Sequence, residues 1–248
     1  GPFTGGAIDA GDAQAWLIGE TVGDQAGRAL DSVGDVNGDG MDDLVVGAEG
    51  YPGNAVVPIR GATYLALSPF EGNISLGDVH AKWIGGEDGT PQSGRAVVGP
   101  GDVTGDGVPD VLVGGENCEV RVLSGATSPG DYSLDADTEP VFTGTLSASI
   151  VGGRGDLDAD GRNDFAAGLG QRFNLVLGEI PALAFPESSV PRIDSTGQFS
   201  GPEYLRVLAG SILGDVNGDG RDDLAFVGRG TTAEGLDDVV VIYLGGGP

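Results

Sequence analysis

Aspartate-rich loops recur four times along the chain, at residues 35–43, 102–110, 156–164 and 215–223. Each loop reads D-x-[D/N/T]-x-D-G-x-x-D, so that side-chain oxygens fall at positions 1, 3, 5 and 9. The glycine at position 6 permits a sharp turn, which lets the carbonyl of position 7 point inward whatever side chain it carries. Carboxylates and carbonyls at this spacing form the oxygen cage that Ca²⁺ prefers.

We therefore predict up to four calcium sites. Mg²⁺ prefers fewer protein ligands and more water, and a transition metal would require His or Cys, which the loops lack. The third loop, with four carboxylates, should bind most tightly, and the second, with Thr104 at position 3, most weakly. The predicted ligands are Asp35, Asn37, Asp39, Met41 and Asp43 in loop one; Asp102, Thr104, Asp106, Val108 and Asp110 in loop two; Asp156, Asp158, Asp160, Arg162 and Asp164 in loop three; and Asp215, Asn217, Asp219, Arg221 and Asp223 in loop four, with position 7 acting through its carbonyl.

Turn formation without metal and an EF-hand are two other interpretations of the loops. Asp, Asn and Gly are turn-forming residues, so a single loop of this kind needs no metal. Four loops with one spacing favour metal binding. The loops do not match EF-hands, because position 12 is apolar in every loop (Val46, Val113, Ala167 and Phe226) where an EF-hand has glutamate.

The segments around the loops predict short β-strands. Apolar runs of 3–7 residues, bounded by Gly, Asp or Pro, precede and follow each loop, and a third run comes after a glycine-rich connection. A fourth strand type is indicated by Trp16 and Trp83, which are 67 residues apart, as are the first aspartates of loops one and two. The later loops follow at intervals of 54 and 59 residues.

A repeat of about 60 residues with four strands predicts a β-propeller. We expect an all-β fold, a single domain over 1–248 with four four-stranded blades. The N-terminal strand, residues 12–19, is expected to complete the last blade and so close the ring. An arc of a larger ring is the alternative. The expected repeats are approximately 20–84, 85–144, 145–194 and 195–248.

Composition limits the classes of partner. The 248 residues include 48 Gly and 14 Pro, yet 39% are hydrophobic, which is enough for a core with many tight turns. The net charge of −26 argues against nucleic acid and acidic membrane surfaces as partners, since both require a basic patch. No apolar run approaches the ~20 residues of a membrane span, so we expect no membrane insertion.

The loops and their flanks resemble the FG-GAP repeat of the integrin α-subunit propeller, which also occurs in secreted bacterial proteins. The loop is preceded by Gly-Asp and followed by D-L-V-V-G-A in the first repeat. The name-giving pairs are partly present: Phe-Gly reads Ala26-Gly27 and Ser93-Gly94, and Gly-Ala-Pro reads Gly47-Ala48-Glu49. The resemblance implies a propeller with Ca²⁺ in loops on one face and a ligand on the other. The integrin ring has seven blades, so blade number and ligand do not carry over.

The expected function is extracellular adhesion or ligand recognition, because weak calcium sites with a Kd of ~10⁻⁴ M would be empty at cytosolic calcium levels. The ligand is expected to be a protein or a glycan. The alternative is a lectin in which Trp16 or Trp83 stacks on sugars, although packing between blades is the more common role of such residues. A hydrolase or lyase is a weaker alternative, since the only histidine, His80, has no nucleophile beside it and the paired carboxylates are accounted for as metal ligands.

Overall fold

The chain was analysed as a computed structural model. It describes residues 9–53, 58–86, 92–115, 120–138, 140–142, 148–151, 155–169, 172–176, 178, 192–193, 205–232 and 235–245.

β-Strands are the main regular secondary structure in the described part of the chain, which confirms the predicted all-β class. Its helical elements are a four-residue helix, α1 (Leu134–Asp137), and two 3-10 turns (Ala10–Asp12 and Leu76–Asp78). None of these helices has the length and apolar character needed to cross a lipid bilayer. The strands are β1 (Ala15–Ile18), β2 (Ala26–Gly34), β3 (Asp43–Ala48), β4 (Ala62–Ala66), β5 (Gly72–Ser75), β6 (Ala81–Ile84), β7 (Ala96–Gly101), β8 (Asp110–Gly114), β9 (Val120–Leu123), β10 (Gly130–Ser133), β11 (Pro140–Phe142), β12 (Ala148–Val151), β13 (Phe165–Leu169), β14 (Arg172–Val176), β15 (Arg192–Ile193), β16 (Leu205–Leu213), β17 (Asp223–Thr232) and β18 (Gly235–Tyr243).

Four antiparallel sheets follow one another along the chain, and each is built around one acidic loop. Their orders are β2-β3-β4-β6, β7-β8-β9-β11, β12-β13-β14-β15 and β16-β17-β18. In each sheet the loop joins the first two strands. The first strands of neighbouring sheets also contact each other: β2 contacts β7, β7 contacts β12, and β12 contacts β16. The predicted fourth strand is present in the first three sheets, as β6, β11 and β15.

The expected ring closure is not found among the described strands. The N-terminal strand β1 was expected to pair with the last sheet, but it pairs in parallel with β5, and the last sheet has three strands. Strand β5 occupies one edge of β1. Among the described strands, none is hydrogen-bonded to the free edge of β18.

The same parallel pairing occurs one repeat later, where β10 joins the outer edge of β6. Both added strands begin with a glycine of positive φ and end with a serine, Ser75 or Ser133, whose hydroxyl caps the helical turn that follows. The next residue in each case is a buried leucine, Leu76 or Leu134. A short strand after the third strand of a repeat therefore ties that repeat to the outer strand that precedes it.

The hydrophobic core lies on both faces of the first sheet. On one face, Val33, Leu65 and Trp83 pack with Val97 and Leu123 of the second sheet. On the other face, a cluster of Val46, Ala48, Ala62, Tyr64 and Leu76 packs against Leu17 of β1. The first sheet is thus covered by the second sheet on one side and by the β1 and β5 pair on the other.

Close backbone contact joins the first two sheets. A Cβ on Gly47 would collide with the carbonyl oxygen of Gly94, and a Cβ on Gly94 would collide with the carbonyl oxygen of Ala62. Gly94 also has a φ of +79°, which disfavours any other residue. Glycine is therefore required at this junction for both steric and conformational reasons.

Candidate metal centres

The first aspartate of each loop organises the turn by accepting backbone hydrogen bonds. In loop one, Oδ1 of Asp35 accepts from the amides of Gly38 (2.6 Å) and Asp39 (3.0 Å), and Oδ2 accepts from the amide of Gly40 (2.7 Å). Asp102 and Asp215 accept from the corresponding three amides, and Asp156 from two of them. These backbone bonds, above all that from Gly40 or its counterpart Gly220, lower the pKa of Asp35 and of Asp215 despite opposing desolvation.

Positions 3, 5 and 7 continue the turn. In loop one, Oδ1 of Asn37 accepts from the amide of Asp39 at 2.8 Å, and Oδ1 of Asp39 accepts from the amide of Met41 at 2.9 Å. The bond from the position-7 amide to the position-5 carboxylate recurs in all four loops. The structure therefore gives position 7 a role for its N–H group, while the predicted role of its carbonyl stays a prediction.

The aspartate at position 9 differs from the others because it is buried. Asp43, Asp110, Asp164 and Asp223 are at most 1% exposed. In every loop Oδ2 of this residue accepts from the amide of position 2, as in the 3.0 Å bond from Val36 to Asp43. In loops one, three and four Oδ1 accepts an amide from the segment after the third strand: Ser68 (2.8 Å), Gly178 (2.7 Å) and Gly245 (2.8 Å).

This aspartate is therefore a clamp that joins the acidic loop to the end of the third strand. Sequence reasoning assigned position 9 only as a metal ligand and missed this role. The signal available was its direct continuation into an apolar strand, as in Asp43-Leu44-Val45.

Loop two departs from the pattern. The Oδ2 atom of Asp110 accepts from the amides of both Val103 and Thr104, at 2.9 Å each. Its Oδ1 atom is buried and has no hydrogen-bond partner within the described residues. Burial raises the pKa of Asp110 to about 6. Burial also raises the pKa of Asp164 to about 6, with Asp158 and Asp156 adding to the rise.

Carboxylates converge most closely in loop three. Asp156, Asp158 and Asp164 each place an oxygen within 4.8 Å of the others. Asp160, the fourth predicted carboxylate, uses Oδ1 for the amide of Arg162. Each carboxylate oxygen has two lone pairs, so an amide bond leaves room for a metal. The donor set in loop three and the unpartnered Oδ1 of Asp110 both fit a hard cation.

The arginines of the repeated Gly-Arg-Ala segments meet at one glutamate. Nε of Arg28 lies 2.7 Å from Oε1 of Glu49, and Nε of Arg95 lies 4.0 Å from Oε2 of the same residue. Arg28 belongs to the first sheet and Arg95 precedes the second. This places both arginines at a junction between repeats.

The two tryptophans have different environments. Trp83 is 2% exposed and stacks on Tyr132, with ring centroids 5.8 Å apart, so its role is packing. Trp16 is 49% exposed. His80 donates from Nε2 to the carbonyl of Thr127 at 2.9 Å, which sets its tautomer when the ring is neutral. Residues 196–203, which the sequence predicts to form a connection on the face opposite the calcium loops, lie outside the described residues.

Comparison with known proteins gives one family. Residues 35–113 match the family described as an FG-GAP-like repeat, from the first aspartate of loop one to β8. No curated protein matches the sequence. The matched segment contains loops one and two and most of the first sheet. Over residues 35–113 the chain is therefore similar to FG-GAP-like repeats.

Proposed function

We propose that the chain is a calcium-stabilised FG-GAP propeller that acts outside the cell as an adhesion or ligand-recognition module. The observation that carries the proposal is the common scaffold of the four loops. In each of them the position-1 and position-9 carboxylates are held by backbone amides at the joint between the first two strands.

Calcium is supported by the charge of these loops. In loop three, the carboxylates of Asp156, Asp158 and Asp164 lie within 4.8 Å of one another and repel when all are ionised. These three residues and Asp160 would hold the ion there, and positions 1, 3, 5 and 9 would do so in the other loops. A bound ion supplies the positive charge that allows the carboxylates to stay ionised together. Four ions would change the net charge from −26 to −18.

The four-bladed ring is supported by surfaces that the described residues leave uncovered. On the last strand, Val240 and Ile242 alternate along one face and are 68% and 52% exposed. On β1, Trp16 and Ile18 alternate in the same way and are each 49% exposed. Strand β1 also covers the face of the first sheet that lies away from the second sheet, which is where a fourth blade would pack. Pairing of β1 with β18 would give the last sheet its fourth strand.

Calcium binding is tested by isothermal titration of metal-free protein with CaCl₂. We expect up to four sites, weak or no response to MgCl₂, and the loss of one site in Asp160→Asn, since position 5 is aspartate in all four loops. Asp12→Asn, which removes an exposed carboxylate outside the loops, is the matched control and should keep every site. Equal loss in both variants would show only nonspecific attraction of cations to an acidic protein.

Recognition is proposed for the face opposite the calcium loops, with a protein or glycan as ligand. A lectin is the second candidate: it is favoured by the half-exposed indole of Trp16, and it requires that Trp16 stay exposed when the ring closes. A glycan array probed with the wild-type protein and with Trp16→Ala distinguishes a lectin from a protein-binding module. Glycan binding that Trp16→Ala abolishes supports the lectin, and an array without hits leaves the protein-binding module. Turnover of polysaccharide or phosphodiester substrates would contradict a non-catalytic module.

A further inference from the structure

A cavity lies at the end of the first sheet that carries loop one. It has a volume of about 370 Å³, within the size range of small-molecule sites. The cavity is lined by Ala66, Leu67, Phe70, Ile74, Asp78, Val79, His80 and Pro129. The described walls are thus mainly apolar, and they include one carboxylate and one imidazole as ionisable groups.

The residues that line the cavity in the first repeat differ from their counterparts in the second repeat. Ala66 lies opposite Leu44 in the first sheet, just as Leu123 lies opposite Val111 in the second. The residue that follows Ala66 is Leu67, whereas the residue that follows Leu123 is Ser124. The connection after Leu67 contains Phe70, whereas the corresponding segment of the second repeat, 124–128, contains no aromatic residue. Differences between repeats in such connections are typical of binding sites.

The polar groups of the cavity select for a hydrogen-bond donor. Nε2 of His80 points to the carbonyl of Thr127, so in the neutral ring Nε2 carries the proton and Nδ1 has a lone pair. Asp78 is exposed, and its carboxylate is the acidic group of the described lining. Among the described residues, the lining contains no lysine or arginine that could pair with this carboxylate. The protein as a whole carries a charge of −26, which further favours a cation over an anion.

We infer that this cavity binds a small molecule that combines an apolar or aromatic body with an ammonium group. The body contacts Leu67, Phe70, Ile74 and Val79, and the ammonium group pairs with Asp78. The site is separate from the calcium loops and goes beyond the recognition function proposed for the opposite face.

The test is a titration of ¹⁵N-labelled protein, in calcium, with phenethylammonium chloride. We expect saturable shifts of the backbone amide signals of residues 66–80. The neutral analogue 2-phenylethanol should bind more weakly, and phenylacetate should bind most weakly. Equal binding of all three, or shifts that do not saturate, would overturn the inference.

Three variants locate the contact. Asp78→Asn should weaken phenethylammonium about five- to tenfold and leave 2-phenylethanol unchanged, since only the charged pair is lost. Phe70→Ala should weaken both probes to a similar extent. Glu71→Gln removes an exposed charge one residue from Phe70 but outside the cavity lining, and it should change neither.

If Glu71→Gln weakened phenethylammonium as much as Asp78→Asn, the attraction would come from the overall field and the assignment to Asp78 would be wrong. Folding of each variant is checked by its thermal midpoint. If Phe70→Ala proved unfolded, Leu67→Ser, which introduces the residue of the second repeat, would test the apolar wall instead.

Discussion

Trp83 stacks on Tyr132, with the ring planes at 24°, because β10 runs beside β6 and places the two residues opposite each other. The corresponding Trp16 lies opposite Asn73 and is half exposed. The same residue in two repeats therefore has a packing role in one and a surface role in the other. The difference comes from the partner strand, since Tyr132 offers a ring to stack on and Asn73 does not.

This difference predicts unequal costs of truncation. Trp83→Ala should lower the free energy of unfolding by about 3–5 kcal/mol, because it removes a fully buried aromatic side chain. Trp16→Ala should lower it by less than about 1 kcal/mol if β1 remains open to solvent. Urea denaturation followed by circular dichroism measures both. A large loss in Trp16→Ala would show that Trp16 is buried in solution, as closure of the ring requires.

The contact between Gly47 and Gly94 predicts a matched pair of glycine substitutions. Gly27 and Gly94 occupy corresponding positions in their repeats and have similar φ values of +83° and +79°. A Cβ on Gly27 meets nothing within 4 Å, whereas a Cβ on Gly94 collides with backbone atoms of the first sheet. Gly27→Ala should therefore cost about 1–2 kcal/mol from its backbone conformation alone.

Gly94→Ala should lower the free energy of unfolding by several kcal/mol more than Gly27→Ala, since the first and second sheets must move apart to make room for the Cβ atom. The comparison uses the same urea denaturation. Equal costs would contradict the close packing of the first two sheets.

The loop aspartates have two roles in this account: they bind the metal ion, and at position 9 they clamp the loop to the end of the third strand. Removing the metal separates these roles. Asp43→Asn should destabilise the protein by about 1–3 kcal/mol even in EGTA, because asparagine can accept at only one of the two atoms that now accept the amides of Val36 and Ser68. Asp39→Asn should leave the thermal midpoint nearly unchanged in EGTA and should lower it only when calcium is present. Thermal melts of both variants under both conditions give four midpoints. The opposite ranking would mean that position 9 is a ligand and not a clamp.

The raised pKa values of Asp110 and Asp164 predict how pH acts on the metal-free protein. Their pKa is about 6 in the folded state and near 3.8 in the unfolded state. The folded state therefore binds more protons between these values. This contribution to stability is full below pH 4 and is lost as pH rises through 6. Calcium affinity should rise over the same interval, because the ion binds the ionised form.

Asp35 and Asp215 give the folding stability the opposite pH dependence. Their pKa is lowered in the folded state, so their contribution is present above pH 4 and is lost as pH falls below it. Denaturation in EGTA at a series of pH values from 3 to 8 measures both effects. A stability that rises steadily from pH 4 to pH 7 without calcium would contradict the assignment of Asp110 and Asp164.

The sequence predicts the strands around each loop well, because short apolar runs such as Leu44-Val45-Val46 next to an Asp-Gly turn are typical of β-strands. The fourth strands at Trp83 and Phe142 are confirmed for the same reason. Strands β5 and β10 were missed, since they are short, largely exposed and polar, as Gly72-Asn73 illustrates. Their signal was a repeated Gly-x-x-Ser-Leu, in which Ser75 and Ser133 cap a turn.

The pairing of β1 was also beyond sequence reasoning. Its apolar residues fit equally well beside β5 or β18, and strand pairing depends on which edge is available. The cavity at Phe70 could not be predicted either, because it forms between the first repeat and Pro129, which are distant in sequence. The clamp role of position 9 depends on partners such as Gly178 and Gly245, whose amides come close only in the folded sheet.

The most direct test of the calcium account is thermal unfolding in EGTA, followed by addition of Ca²⁺ or Mg²⁺, with bound ions counted by native mass spectrometry. With a Kd of ~10⁻⁴ M, 2 mM calcium would add roughly 1.8 kcal/mol per site. The account predicts a large rise in midpoint that is selective for Ca²⁺, with up to four ions bound. An unchanged midpoint with no ion bound would contradict it, and the aspartates would then be turn-forming residues only.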